Sequence, residues 1–376
     1  MPKILLVTGE ASGDIHGAHL ALALRELNPA VELIGVGGSR MLAAGVSLLP
    51  DVDRVDAMGV PGFRQLIKGW KTLRTLRCYV REERFDAIIL IDSPGLNLRL
   101  AKVASKMSHK IIYYIAPQVW AWGSRRLKLI REVINHVLAI LPFEEKFFQK
   151  AGIPCTYVGH PLLDELSPSY DKIHERHRLG LEPEGMVIGV LPGSRVKEVQ
   201  EILPILIKTV QHIRNRYPIL QVLLAQAHSL SDSVIHELVG HSGQQVRVVK
   251  GQANEVMAAS DVLLVTSGTA TLQAALIGTP MVVVYRTSPV TYQIAKRLVK
   301  IPYISLVNIL AGKEIVPELI QDRMTPDRIA REVLKILGDT GRRDVMKQAF
   351  QSIRTSLGGP GASKRAAEII LAEAMS

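Results

Sequence analysis

The chain has 376 residues, 47% of them hydrophobic, a size and composition that exclude a disordered chain and suit two folded domains. Its 46 basic residues outnumber its 35 acidic ones, and the formal net charge of +11 favours an anionic ligand or surface. Aromatic residues make up only 5%, too few to suggest a stacking surface for single-stranded nucleic acid, so we expect no nucleic-acid partner.

Short β-branched runs alternate with amphipathic helical stretches along almost the whole chain. The first series of predicted strands covers residues 3–8, 31–36, 87–92, 110–115, 137–140 and 156–158. The second series covers residues 187–191, 221–225, 247–249, 262–265 and 281–285. Apolar runs of this length, separated by helical segments, indicate parallel sheets that are covered on both faces.

A segment rich in proline and charge, residues 159–185, separates the two series. The chain is therefore predicted to form two doubly wound α/β domains, residues 1–165 and residues 166–360. A glycine- and proline-rich break at 358–361 precedes a last predicted helix, at about 361–376.

Nothing in the sequence predicts secretion or a membrane span. The two cysteines, Cys78 and Cys155, form neither a disulfide framework nor a metal-site spacing, which indicates a reducing compartment. The apolar run at 3–8 is too short for the core of a signal peptide. The uncharged stretch 262–285 contains threonine, glycine and proline, and its pattern is that of a strand, a turn, a helix, a helix stop and a second strand. We therefore predict no transmembrane helix there.

A strand-to-helix turn at 191–195 is the strongest local signal for a phosphate ligand. Gly193 allows the backbone to approach a ligand, Ser194 offers a hydroxyl group, and Arg195 offers a planar fork for phosphate oxygens. Taken alone, these residues also fit an ordinary turn with a solvent-exposed arginine.

A second turn follows the strand at 262–265 and opens a helix. Ser267, Gly268, Thr269 and Ala270 place N–H groups and the positive end of the helix dipole where a diphosphate would be stabilised. N-capping by Ser267 or Thr269 is the simpler alternative. Because both turns follow parallel strands of one domain, we predict a nucleotide-diphosphate site there.

The glycine spacing does not support two common nucleotide motifs. No Gly-x4-Gly-Lys-Ser/Thr sequence occurs, and Gly9, Gly13 and Gly17 are four residues apart rather than in a Gly-x-Gly-x-x-Gly pattern. Neither a P-loop protein nor a nicotinamide-dependent enzyme is therefore expected.

Eight segments, in their order and spacing, resemble the lipid-A-disaccharide synthase family across nearly the whole chain. They are residues 9–14 (GEASGD), 92–97 (DSPGLN), 113–122 (YYIAPQVWAW), 141–144 (LPFE), 158–161 (VGHP), 191–195 (LPGSR), 267–272 (SGTATL) and 305–311 (SLVNILA). The resemblance implies the GT-B fold, in which two Rossmann-like domains face each other across a cleft. The acceptor domain would come first, the UDP-sugar domain second, and the last helix would cross back to the first domain.

The same resemblance implies a glycosyltransferase of lipid A biosynthesis. It would transfer 2,3-diacylglucosamine from UDP-2,3-diacylglucosamine to 2,3-diacylglucosamine 1-phosphate (lipid X). The products would be a β-1,6-linked disaccharide 1-phosphate and UDP, formed with inversion at the anomeric carbon and without a metal or other cofactor. The resemblance further implies a cytoplasmic, peripheral protein on the inner face of the Gram-negative inner membrane, and it leaves a homodimer open.

Asp92 is the predicted catalytic base. It ends an apolar strand at the ligand-bearing edge of the sheet, and a family motif falls on it. Capping of the following turn is the alternative role for this residue. Glu10, also assigned to the catalytic site, stays open as a base together with Asp14 and His16, and Arg195 would stabilise the departing UDP.

The remaining predicted donor contacts follow from the resemblance. Gln273 stands where relatives generally have a glutamate that binds the ribose hydroxyls, and its amide oxygen can still accept a hydrogen bond. Asn308 and Glu318 are predicted to contact the donor sugar, with loop bonding and a surface charge as the alternatives. Gly251 and Gln252 follow a strand where the uracil lies in this fold, although a plain turn fits them as well.

Residues 63–84 have the pattern of a basic amphipathic helix. The apolar stripe consists of Phe63, Leu66, Ile67, Trp70, Leu73 and Val80, and the basic stripe consists of Arg64, Lys68, Lys71, Arg74, Arg77, Arg81 and Arg84. Such a helix suits the surface of an anionic bilayer. A helix that covers the N-terminal sheet and exposes a solvated basic face explains the apolar stripe as well.

Two other functions stay open at this point. A UDP-N-acetylglucosamine 2-epimerase would share the fold and the nucleotide domain, and a non-enzymatic module would share the lipid- or nucleotide-binding surfaces. Gln118, Trp120 and Trp122 are predicted either to shape an acceptor pocket or to pack in the domain core.

Overall fold

The computed structural model describes residues 1–50, 52, 63–122, 124–240, 246–298 and 301–376. The chain divides into two compact units, which we call unit 1 (residues 1–165 and 357–376) and unit 2 (residues 166–356). Each unit is built on a single parallel β-sheet.

The sheet of unit 1 has seven strands in the order β3-β2-β1-β4-β5-β6-β7. They are β1 (Lys3–Val7), β2 (Glu32–Val36), β3 (Ser47–Leu48), β4 (Ala87–Ile91), β5 (Ile111–Tyr114), β6 (His136–Ala139) and β7 (Cys155–Tyr157). The helices are α1 (Ala11–Leu27), α2 (Ser39–Ala43), α3 (Phe63–Glu82), α4 (Pro94–Ala104), α5 (Val119–Trp122), α6 (Ser124–Val133), α7 (Pro142–Lys150), α8 (Leu162–Glu165) and α18 (Ala362–Ala374).

Successive residues of the central strands serve two hydrophobic cores, because side chains alternate across a strand. Leu5 and Ile88 share one core with residues of α3, α4 and α6. Ile4 and Ile89 share the other with residues of α1 and α18. The last helix therefore belongs to unit 1, where it packs against the first helix.

The sheet of unit 2 has six strands in the order β10-β9-β8-β11-β12-β13. They are β8 (Val187–Leu191), β9 (Gln221–Gln226), β10 (Arg247–Lys250), β11 (Val262–Thr266), β12 (Met281–Tyr285) and β13 (Glu318–Ile320). The helices are α9 (Lys172–Arg178), α10 (Val196–Arg214), α11 (Asp232–Val239), α12 (Ala253–Ala259), α13 (Thr269–Ile277), α14 (Pro289–Leu298), α15 (Leu306–Ala311), α16 (Pro326–Gly338) and α17 (Thr340–Ser356).

Both series of predicted strands are confirmed, as is the α/β class with two parallel sheets. β3 and β13, which have two and three residues and lie at sheet edges, were not predicted from the sequence. Within the described ranges, no helix combines the length and the apolar character that crossing a bilayer requires.

Candidate active site

Each sheet reverses its strand order beside its first strand. The reversal lies between β1 and β4 in unit 1 and between β8 and β11 in unit 2. At such a switch point the loops that follow the two parallel strands diverge and leave a crevice at the carboxyl ends, where ligands bind. The candidate sites are therefore residues 8–10 with 92–93 in unit 1, and residues 192–195 with 267–269 in unit 2.

A hydrogen bond joins the two loops of unit 1. The N–H of Gly9 donates to Ser93 Oγ at 2.9 Å, which ties the end of β1 to the end of β4. A Cβ atom at residue 9 would lie 3.2 Å from that oxygen, so glycine permits the close approach. Glu10 follows directly and is exposed, and the structure thus brings it to the same sheet edge as Asp92.

Asp92 and Ser93 both have left-handed backbone conformations, with φ of 48° and 46°. Residues other than glycine rarely occupy this region, and such strain persists only where neighbouring groups fix the backbone. The carbonyl oxygen of Asp92 accepts hydrogen bonds from Asn97 Nδ2 and Tyr113 Oη, both at 2.7 Å. These partners fix the backbone from which the half-buried Asp92 side chain projects.

Asp14 binds backbone groups at the start of α2. Its Oδ1 accepts from the N–H groups of Gly38 at 2.6 Å and Met41 at 3.1 Å, and its Oδ2 accepts from Arg40 at 3.1 Å. This buried carboxylate has the geometry of a helix cap. Its role as an alternative base stays a prediction.

The histidines near this site have unlike surroundings. His16 Nδ1 lies 3.4 Å from Glu165 Oε1. His160 is buried, and burial, followed by the charge of His16, lowers its pKa to about 3. His160 Nδ1 accepts a hydrogen bond from the N–H of Leu162 at 3.2 Å, so the neutral ring is held in the fold.

Glu144 is a buried carboxylate that the sequence analysis did not select. Its Oε1 accepts from Trp120 Nε1 at 2.9 Å, and its Oε2 accepts from the N–H of Leu141 at 3.1 Å. Burial raises its pKa to about 7, although these hydrogen bonds act in the opposite direction. Trp120 also contacts Phe143 edge to face, whereas Gln118 is exposed, and the Trp122 side chain lies outside the described residues.

The first loop of unit 2 follows β8 and precedes α10. Gly193 has a φ of 109°, which favours glycine, and Ser194 and Arg195 are exposed. The carbonyl oxygen of Ser194 accepts from Ser229 Oγ at 2.9 Å, so the loop after β9 braces this turn. The backbone N–H groups of Ser194 and Arg195 donate to the carboxylate of Glu198.

The second loop of unit 2 follows β11. The hydroxyl of Ser267 donates to the carbonyl oxygen of Ile304 at 2.9 Å, and Thr271 Oγ1 donates to that of Gly268 at 2.8 Å. No side chain of the described residues caps α13, so the alternative of simple N-capping is not supported. The exposed Thr269 begins the helix, and the half-buried Gln273 lies one turn further on.

The turn after β10 meets the loop after β9. The ring of His228 lies so close to Gly251 that a Cβ there would be 2.2 Å from its Nε2. Gln252 is exposed, and its Oε1 accepts from Arg178 at 3.3 Å. His228 and Ser229 therefore also belong to the loops at this sheet edge. No sequence motif pointed to either residue.

Asn308 and Glu318 form a buried network in unit 2. Asn308 Nδ2 donates to Glu318 Oε1 at 2.8 Å and to the carbonyl oxygen of Val316 at 2.9 Å. Glu318 also accepts from the N–H groups of Ile304 and Ser305 and from Ser305 Oγ, at 2.7 to 3.0 Å. The network thus fixes the segment that contains Ile304, whose carbonyl oxygen accepts the hydrogen bond from the Ser267 hydroxyl. Direct contacts of Asn308 and Glu318 with the donor sugar stay a prediction.

Two Rossmann-like units with paired loops at their switch points define a protein of the GT-B class. Solved structures of this fold match over nearly the whole chain. UDP-GlcNAc 2-epimerase from Neisseria meningitidis, bound to UDP-GlcNAc, has a TM-score of 0.67 at 14% identity and covers 98% of this chain and 100% of its own. UGT89C1 of Arabidopsis thaliana, complexed with UDP, has a TM-score of 0.63 at 15% identity and covers 100% of both chains.

Sequence comparison defines the family within that class. The family model described as lipid-A-disaccharide synthetase matches residues 4–372. The lipid-A-disaccharide synthases of Geobacter metallireducens and Myxococcus xanthus are both 39% identical to this chain, cover 98% of it, and are themselves covered to 96% and 97%. The chain therefore belongs to the lipid-A-disaccharide synthetase family, and it is a glycosyltransferase of lipid A biosynthesis.

Proposed function

We propose that the chain transfers 2,3-diacylglucosamine from UDP-2,3-diacylglucosamine to 2,3-diacylglucosamine 1-phosphate, with inversion at the anomeric carbon. The observation that carries the proposal is the loop pair of unit 2, in a chain whose relatives are lipid-A-disaccharide synthases. There the uncapped start of α13 and the Gly193–Arg195 turn offer N–H groups and a guanidinium at one switch point, a combination suited to a diphosphate.

In this proposal unit 2 binds the donor. Arg195 and the start of α13 stabilise the negative charge that develops on the departing UDP. Contacts to the nucleotide and its sugar are assigned to residues of the loops after β8, β10 and β11 and to residues of α13, α15 and β13: Gly193, Ser194, Gly251, Gln252, Ser267, Gly268, Thr269, Ala270, Gln273, Asn308 and Glu318.

Unit 1 supplies the base in this proposal. Asp92 removes the proton of the acceptor 6-hydroxyl as the oxygen attacks the anomeric carbon, and Glu10 assists at the same sheet edge. Support comes from the anchored, strained backbone at Asp92. Such strain is typical of functional positions.

The direct test is to incubate the purified protein with both proposed substrates and to identify products by mass spectrometry. A disaccharide 1-phosphate with UDP release that depends on the acceptor is expected. UDP release without an acceptor, or a 2-epimerised UDP-sugar, would instead support the epimerase alternative. Binding of both substrates without turnover would support a non-enzymatic module.

Asp92→Asn tests the base. Asparagine tolerates the left-handed backbone, so the variant keeps the fold while kcat falls by about 10²- to 10⁴-fold. Asp344→Asn, an exposed position on α17, controls for loss of an acidic side chain. Wild-type turnover by the Asp92 variant would remove this residue from the mechanism.

We further propose that unit 1 binds an anionic membrane surface. A groove of about 760 Å³ runs between α3, α4 and α6. Its apolar lining includes Trp70, Leu73, Val103 and Met107, and its basic lining consists of Arg77, Arg81, Arg99, Lys102 and Lys106. The side chains of residues 63–68, including Lys68, lie outside the described residues. Apolar and cationic side chains in one groove suit the interface of an anionic bilayer.

Charge reversal tests this surface. Arg77→Glu with Arg81→Glu should abolish co-sedimentation with phosphatidylglycerol-containing vesicles, because each basic residue contributes about 1 kcal/mol at such a surface. Lys146→Glu with Lys150→Glu, on exposed positions of α7, makes the same charge change elsewhere on unit 1. Equal sedimentation of both double variants would exclude the groove. A homodimer also stays a proposal, and light scattering of the purified protein tests it.

A further inference from the structure

Glu198 lies in the first loop of the proposed donor site. It is the third residue of α10, and its carboxylate accepts the backbone N–H groups of Ser194 and Arg195. Its Oε2 is so close to Gly193 that a Cβ there would lie 2.2 Å away. The N–H groups that this turn offers to a phosphate are therefore bonded to a carboxylate of the chain itself.

The surroundings of Glu198 hold its carboxylate only weakly in the charged form. Burial raises its pKa, against the opposing influence of the Arg195 charge and the two backbone N–H groups. Burial, followed by the Glu198 charge, raises the pKa of Tyr285 at the end of β12. Glu201, one turn further along α10, also acts on Tyr285 as a negative charge.

We propose that Glu198 is an internal competitor of the donor diphosphate. Without a donor, its carboxylate occupies the N–H groups of the turn, and the donor must displace it to bind there. The inference rests on the proposed function, because it takes the incoming anion to be the diphosphate of a UDP-sugar.

Two consequences follow for the reaction. A diphosphate carries more charge than a single weak anion and can also contact the start of α13, so it displaces the carboxylate where a monoanion does not. After transfer, the returning carboxylate repels the UDP product and assists its release. Glu198 would thus lower the affinity for the nucleotide, while it raises the selectivity for a diphosphate and speeds the release of UDP.

The test measures the Kd of UDP and of uridine by isothermal titration calorimetry with the full-length protein. Glu198→Gln keeps the length of the side chain and one acceptor oxygen but removes the charge. We expect it to bind UDP about tenfold more tightly, a change of about 1.4 kcal/mol, and uridine as the wild type does. Glu201→Gln removes an equal charge one turn away, where the side chain is exposed, and should leave both constants unchanged.

The pH dependence gives a second readout. The diphosphate repels the ionised carboxylate but not the protonated one, so wild-type affinity for UDP should fall as the pH rises through the pKa of Glu198, which burial raises above its ordinary value. The Glu198→Gln variant should show a flatter pH profile, because its side chain does not titrate.

The outcomes separate this inference from the proposed function. The competitor role is overturned if Glu198→Gln binds UDP no more tightly than the wild type does, while its Kd for uridine equals that of the wild type. A parallel change in UDP and uridine binding also overturns it, because that pattern indicates a general distortion of the site. Failure of every variant and of the wild type to bind UDP would instead overturn the proposed donor site.

Discussion

Replacing Asn308 with aspartate tests whether the buried network braces unit 2. Asn308 Nδ2 donates to Glu318 Oε1 at 2.8 Å, and Glu318 already accepts three further hydrogen bonds from residues 304 and 305. Asn308→Asp turns the donor into a second carboxylate with almost no change of shape. Two carboxylate charges centred about 4 Å apart repel by about 4 kcal/mol at an effective dielectric constant near 20.

The same substitution also removes the hydrogen bond from Asn308 to the carbonyl oxygen of Val316, 2.9 Å long, which adds about 1 kcal/mol. We therefore expect the free energy of unfolding to fall by about 5 kcal/mol at about pH 8. The deficit should shrink in acid, because one shared proton restores a hydrogen bond between the two oxygens.

Urea unfolding followed by circular dichroism measures the free energy of unfolding at about pH 8 and in acid. Asn28→Asp is the matched control, because Asn28 Oδ1 accepts from the N–H of Ala30 at 3.1 Å and an aspartate oxygen does so equally well. That control should stay within about 0.5 kcal/mol of the wild type. A loss below about 1 kcal/mol for Asn308→Asp would refute the brace, and a higher KM for the donor would then leave the proposed sugar contact as the role of Asn308.

Three further substitutions test single interactions. Burial raises the pKa of Glu144 from its ordinary 4.5 to about 7, so between these pH values the folded state binds a proton that the unfolded state does not. The free energy of unfolding of the wild type should therefore fall by about 3 kcal/mol as the pH rises from about 4.5 to about 7. Glu144→Gln should remove that slope in urea unfolding at about pH 5 and about pH 8, and an unchanged slope would contradict the assignment. Asp14→Asn should lower the free energy of unfolding by about 2 kcal/mol in the same assay, because an amide group then faces three backbone N–H donors. A loss of turnover without a loss of stability would instead indicate that Asp14 is a base. Arg195→Lys keeps the charge but loses the planar fork, so kcat/KM should fall by about 10- to 100-fold, and full activity would exclude phosphate contact.

The strands could be predicted because their burial is recorded in the sequence as apolar runs. β4 and β11 are buried at every residue, and both consist almost entirely of alanine, valine, leucine and isoleucine. β13 was missed because it has three residues and begins with Glu318, a charged side chain that marks the surface in most sequences. Its carboxylate is tolerated inside because Ser305 and Asn308 donate to it, and that convergence is a property of the fold.

The loops of unit 2 were predictable for a related reason. Ser194 and Ser267 follow strands that the sequence reveals, so their place at one edge of a parallel sheet follows from topology. The partners of these loops were not predictable. Glu198 lies in the first turn of α10, and only the folded loop brings its carboxylate onto Gly193. His228 reaches Gly251 from a separate loop, a contact that no spacing in the sequence encodes.

Asp14 and Asp92 illustrate how the structure separates two candidates that the sequence offers for one role. Both are acidic residues that follow neighbouring parallel strands of unit 1. The two oxygens of Asp14 accept three backbone N–H groups, so a proton acceptor there would have to give up its cap. The bonds that anchor Asp92 end on its carbonyl oxygen instead, through Asn97 and Tyr113. A base needs a side chain carried on a fixed backbone at the ligand-bearing edge of the sheet, and the anchored backbone of Asp92 is the reason we propose this residue for the role.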